Sequence, residues 1–224
     1  MVIPIEHTEI TEKVYRVLKQ MILNRDFVGG QKLNLNELSA KMQISRTPLK
    51  DAINRLVSEG LIEVKARSGT FVTKITADDI KHVMEMRAMI ELWCIARLNR
   101  DTASALADKL KPIVHESAKL LADTNFSYEG YVELDVAFHE AIVAASQNPK
   151  VLETYRSLNS FLKISRVFYF KSQERSRMGQ WEHEEVVGCL ERFELEAAKT
   201  KLNEHIEKSM RIMIRLLEEN GGSI

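Results

Sequence analysis

Proline and glycine are scarce, at four and nine residues among 224. Little material is therefore left for tight turns between strands, which excludes an extensive β-sheet and favours helices. The two cysteines, Cys94 and Cys189, fall inside helical patterns and lack the spacing of a metal motif. They exclude a disulfide framework and read as small buried hydrophobes in a reducing compartment. No apolar run approaches the roughly 20 residues of a membrane span. The N-terminal segment has acidic residues and no apolar core of a signal peptide, so a cytoplasmic location without a membrane partner is expected. Net charge is also absent, because 32 Lys/Arg balance 32 Asp/Glu. That balance fits poorly with a structural protein that coats nucleic acid. The zero hides an asymmetry: residues 1–75 carry 12 Lys/Arg against 8 Asp/Glu, and the remainder 20 against 24. A basic front end on an acidic body suits a nucleic-acid module joined to a part that should not bind nucleic acid.

The basic part holds the most informative stretch, residues 38–56, which reads as two short helices joined by a tight turn. Ser45 can serve as an N-cap and Pro48 sits in the first turn, where a missing N–H costs little. Leu49, Ala52, Ile53 and Leu56 share one side of the second helix, and Arg46, Lys50 and Asn54 the other. An apolar back with a narrow cationic, amide-bearing front suits the major groove of DNA, where Arg and Lys reach guanine or phosphate and Asn reads adenine. Residues 8–24 predict a preceding helix, and Asn34 or Asn36 starts the short one that ends near Met42. The helix from Arg46 stops at Gly60. Residues 61–65 and 70–74 are β-prone and flank Ala66-Arg67-Ser68-Gly69, a hairpin signature. Three helices and a hairpin make a winged helix-turn-helix, with Lys65, Arg67 and Gly69 at a wing tip placed for phosphate or minor groove. Ser45 and Thr47 complete the candidate DNA-binding set.

From Thr76 onward only long helices are expected, over about 76–98, 101–123, 128–146, 150–171, 174–194 and 195–218. The fold class is thus mainly α: a winged helix-turn-helix over 1–75, then an all-helical antiparallel bundle over 76–224. In the bundle, Asp135 lies within the apolar arc of its helix and His139 one turn on, at the margin. His183 and His205 are centred on apolar stripes of two further helices. Burying these groups is costly unless something offsets their desolvation. A divalent metal would do so: three neutral imidazoles and a carboxylate suit zinc first, and also nickel, manganese or iron. The alternative is that each histidine finds its own core hydrogen bond, or a carboxylate such as Glu140 or Glu184. His7, His82 and His115 occupy polar or terminal positions and read as surface residues.

These residues also resemble a known family. Leu38-Ser39, residues 44–52, Glu59-Gly60-Leu61 and Gly69-Thr70-Phe71-Val72 are similar to the DNA-binding module of GntR-family transcription regulators. Asp79, residues 87–91, residues 135–139, Asn148-Pro149, Glu182-His183 and His205 resemble the FadR subgroup with an FCD-type effector domain. The resemblance implies a homodimer on a double-stranded operator, with a small organic acid as effector of the helical domain. It implies metal ligation by Asp135, His139, His183 and His205. Where the family has Arg-Glu-Ala, this chain has Lys50-Asp51-Ala52, a point charge in place of a planar fork. Arg87, one turn from Glu91, is the candidate clamp for an anionic effector, with Arg166 a second; an ordinary ion pair to Glu91 is the other reading of Arg87. The expected function is a ligand-responsive repressor sensing a small carboxylate through a metal-containing pocket. A metal-sensing repressor and a metal-dependent enzyme are the alternatives.

Overall fold

The computed structural model describes residues 7–23, 26–158 and 173–219. The chain divides into two compact units, one ending at Thr76 and the other beginning at Ala77. In the first unit, α1 (His7–Leu23), α2 (Leu35–Met42) and α3 (Arg46–Ser58) accompany the strands β1 (Lys32–Leu33), β2 (Ile62–Lys65) and β3 (Gly69–Val72). The core forms where Val14, Leu18 and Ile22 of α1 meet Leu49, Ala52, Ile53 and Leu56 of α3, all buried. Each such side chain contributes roughly 1.5–3 kcal/mol by leaving water. Arg55 fastens the same pair of helices: its guanidinium lies 3.8 Å over the Tyr15 ring and pairs with Glu12.

The sheet is antiparallel in the order β1-β3-β2, with Lys65 opposite Gly69 at its tip. Two-residue β1 has no sequence signature, since a pair of residues carries no period, and the hairpin reading omits it. Gly69 has φ +127, a backbone few other residues adopt, and a Cβ there would meet the Lys32 side chain at 2.8 Å. Backbone demand therefore accounts for this glycine. The α2 cap is Asn34, whose side chain accepts from Asn36 and Glu37 N–H. Ser45 occupies the N-cap of α3, but its hydroxyl makes no capping bond, contrary to the role assigned it from sequence.

The second unit contains α4 (Ala77–Ala96), α5 (Arg100–Ala122), α6 (Tyr128–Ala144), α7 (residues 149–158 of the described chain), α8 (Gln173–Glu191) and α9 (Leu195–Glu219). Helix α4 packs on α9 and α6, α5 on α6 and α8, and α8 on α9. Helix α5 starts ahead of the expected Asp101 because Asn99 and Thr102 close a reciprocal capping box. Helix α6 buries well over half of its circumference and exposes one stripe through Glu129, Glu133 and Ala137, which explains its weakly periodic sequence. Both tryptophans, Trp93 on α4 and Trp181 on α8, are exposed. No described helix is long and apolar enough to cross a membrane.

Candidate metal centre and nucleic-acid interface

Asp135 and His139 come from α6, His183 from α8 and His205 from α9, and one ligating atom from each lies within 4.8 Å of the others. The Nε2 of His183 is 3.2 Å from that of His139 and 3.3 Å from that of His205. Imidazoles bound to one ion at about 2.0–2.1 Å have nitrogens about 2.9–3.4 Å apart, for right-angled to tetrahedral geometry. The observed separations fall inside that range. Asp135 Oδ1 stands a little farther off, at 3.8 Å from His139 Nε2 and 3.7 Å from His183 Nε2. His139 is fully buried, not marginal. The ring of His183 stacks on Phe138 with 3.9 Å between centroids, which fixes its plane.

The far sides of two rings are held by carboxylates. Glu91 Oε2 accepts from His139 Nδ1 at 2.7 Å, and Glu182 Oε2 accepts from His205 Nδ1 at 2.7 Å. A proton committed to Nδ1 leaves a lone pair on Nε2, so these rings aim acceptors, not donors, at the common point. Such backing carboxylates orient metal ligands and raise their basicity. Burial, reinforced by the nearby charge of Arg87, holds His139 well below the usual histidine range, and burial lowers His205 as well. Both rings are thus neutral near pH 7, the form that ligates. The donor set and its spacing fit a divalent ion.

Sequence reasoning offered Glu140 or Glu184 as histidine partners; instead Glu140 pairs with Arg156 and Glu184 accepts from Gln180. The true partners, Glu91 and Glu182, lie 48 and 23 residues from their histidines. The available signal was a carboxylate on an otherwise buried helix face, as at Glu91. Arg87 does form the ion pair to Glu91, Nε to Oε1 at 2.7 Å, and Tyr155 donates to the same oxygen at 2.6 Å. Burial would lower Arg87, but Glu91, by its charge and hydrogen bond, together with Tyr155 and Asp135 outweighs it, and its pKa is raised. Arg87 also lines a cavity with Asp135, His205 and Arg175. Arg166 lies outside the described residues. His82 and His115 are exposed, as expected for surface residues.

On the first unit, Arg46, Thr47, Lys50 and Asn54 are exposed along one side of α3, opposite its buried stripe, and Ser45 is exposed just before it. At the wing, Lys65 and Arg67 are exposed and Gly69 is half-buried. Lys65 pairs with Glu63 at 2.8 Å. Arg67 adopts φ 62 at the turn, which Ser68 N–H closes onto the Lys65 carbonyl.

A winged helix-turn-helix ahead of a helical bundle with an internal His/Asp cluster defines a transcription regulator with an effector domain. Residues 10–72 match the family described as bacterial regulatory proteins, gntR family, and residues 82–208 match the FCD domain. The chain belongs to the GntR family, with an FCD effector domain, and its relatives are regulators, not enzymes. It is 31% identical over 194 residues to the Nta operon transcriptional regulator of Aminobacter aminovorans, covering 84% of this chain and 87% of the other. It is 28% identical over 198 residues to the gluconate operon transcriptional repressor of Bacillus licheniformis, covering 86% and 77%. Among solved structures, the Zn2+-bound FCD domain of the regulator TM0439 superposes with TM-score 0.53 at 20% identity, covering 64% of this chain and 96% of that one.

Proposed function

We propose that this chain is a cytoplasmic, homodimeric repressor whose operator affinity responds to a small carboxylate bound beside a divalent metal, zinc first, held by Asp135, His139, His183 and His205. The observation that carries this reading is the convergence of three imidazole nitrogens, that of His183 at 3.2 and 3.3 Å from the other two, with two of the rings backed by carboxylates. When bound, the ion supplies a Lewis-acidic anchor for a carboxylate. The chain's own part is orientation: Glu91 and Glu182 fix two rings, Phe138 fixes the third, and Arg87 presents a buried cation beside the site. The three histidines are at most 3% exposed, which favours a resident ion over one that exchanges as the signal.

On the DNA side, Arg46, Thr47, Lys50 and Asn54 would enter the major groove, with Ser45 at the helix start and Lys65, Arg67 and the Gly69 backbone at the wing. A dimer would place two recognition helices on half-sites about 34 Å apart. The effector acts only if it binds the DNA-competent and DNA-incompetent states with different affinities. Metal analysis of the purified chain and titration with short carboxylates, with and without operator, test the proposal. About one ion per chain and an operator-dependent acid affinity are expected. A metal-free protein that responds unchanged, or identical acid affinity in both titrations, would overturn it.

A further inference from the structure

We infer that the cavity beside the four ligands takes a short dicarboxylate, with Arg175 of α8 as the group that receives its second carboxylate. This rests on the effector reading of the helical unit and deepens it. The geometry is a pair of matched relays. Arg87 donates to Glu91, which accepts from His139; Arg175 faces Glu182, which accepts from His205. Each relay thus runs from a ligand histidine through a carboxylate to a guanidinium, and both guanidiniums line the same cavity. Among the described residues its one carboxylate wall is Asp135, so two guanidiniums and a single carboxylate face the space in which a ligand would lie.

The two arginines are differently used. Arg87 is 1% exposed and spends Nε on Glu91; among the described residues Nη2 has no hydrogen-bond partner, and Nη1 reaches only Met84 Sδ at 4.0 Å. The outer edge of its fork is the part suited to a carboxylate. Arg175 is oriented by Ser209, whose Oγ accepts from Nη2 at 2.9 Å. Its contact to Glu182 is long, 3.5 Å, because that carboxylate already accepts from His205 at 2.7 Å and from Lys208 at 3.2 Å. Between Arg175 and the metal-side ring lies Gly179, where a Cβ would stand 3.7 Å from Arg175 Nη1 and 4.0 Å from His205 Cε1. Glycine inside a helix costs roughly 0.5–1 kcal/mol. Here it leaves Arg175 and His205 facing one gap, and lets the Tyr131 hydroxyl approach α8. The cavity volume, about 40 Å³, exceeds what one water needs and is too small for a long acyl chain. A monocarboxylate would engage one guanidinium and not the other.

The test is calorimetric titration of the full-length, metal-loaded protein with malonate and succinate against acetate and butyrate. At least one dicarboxylate should bind about tenfold or more tighter than either monocarboxylate, the scale of one added charge-assisted pair. Arg175→Gln should abolish that preference while acetate affinity stays within about threefold, and Arg175→Lys should restore part of it. Unchanged metal stoichiometry in Arg175→Gln shows that Glu182 and His205 remain in place. If that variant does not fold, Ser209→Ala, which removes only the orienting hydroxyl, should narrow the preference in the same direction. Acetate binding with no dicarboxylate advantage, or an advantage that survives these substitutions, would overturn the assignment of Arg175 alone. Absence of binding by all four acids would sink the effector reading and this inference with it.

Discussion

Glu91 holds three donors at once: Arg87 and Tyr155 on Oε1 and His139 on Oε2, all buried. Glu91→Gln removes the counter-charge of Arg87 and leaves a single acceptor oxygen, with an NH2 in place of the other, for the three donors. Leaving a buried cation uncompensated costs on the order of 3–5 kcal/mol, and losing a backing carboxylate weakens metal binding about 10–100-fold. A lowered denaturation midpoint together with a raised zinc dissociation constant is the expected pair of measurements. The same residues give an acid response in metal-free protein. His139 and His205 are held low, chiefly by burial, so as pH falls below about 6.5 the unfolded chain takes up protons that the folded chain refuses. Stability is therefore fully present above that pH and declines below it, by up to about 1.4 kcal/mol per pH unit for each imidazole. Glu182 adds a second loss further down: burial alone would raise it, but the His205 hydrogen bond and the Arg175 and Lys208 contacts bring it from 4.5 to about 2. Urea midpoints measured on chelated protein should hold from pH 8 to about 6.5 and fall from there to pH 4. At this scale the ligands were readable, since an Asp/His pair one turn apart on an apolar face violates the pattern around it. Their partners were not, because Glu91 and His139 meet across 48 residues and no local period records that.

Helix α3 was legible along its whole length, because its buried stripe, the proline in its first turn and the glycine after its end all point to one register. Its exposed side is where a base contact can be tested without disturbing packing. Arg46→Ala should weaken operator binding by about 1–3 kcal/mol if the side chain reads a base, with the melting temperature unchanged. An electrophoretic titration across operator variants checks both the loss and its dependence on sequence. By contrast Leu56→Ala, fully buried in the same helix, should cost about 2–5 kcal/mol of stability. Helix ends were read less well. Ser45 lacks the capping bond expected of it, and α5 is capped by Asn99 because a reciprocal box with Thr102 competes with Asp101 as a start. Strand β1 exists only by pairing with β3, so nothing in its own two residues could have announced it.

At the scale of the molecule, the charge asymmetry hidden by a zero net charge follows the division into two units, with the excess of Lys/Arg in residues 1–75. All four candidate metal ligands belong to the unit beginning at Ala77. A ligand stabilises only the body that binds it, by RT ln(1 + [L]/Kd), or about 4 kcal/mol at a thousandfold excess over Kd. Differential scanning calorimetry should therefore resolve a transition that rises with added zinc and another that does not. A single transition moving as a whole would mean that the two units unfold as one. The tryptophans give the same division an optical form. The two in the sequence, Trp93 and Trp181, sit on α4 and α8, the helices that contribute Arg87 with Glu91 and Arg175 with His183. Tryptophan emission, excited apart from tyrosine, is blind to the module that carries α3. It offers a label-free channel through which occupancy of the helical unit can be followed while operator is present.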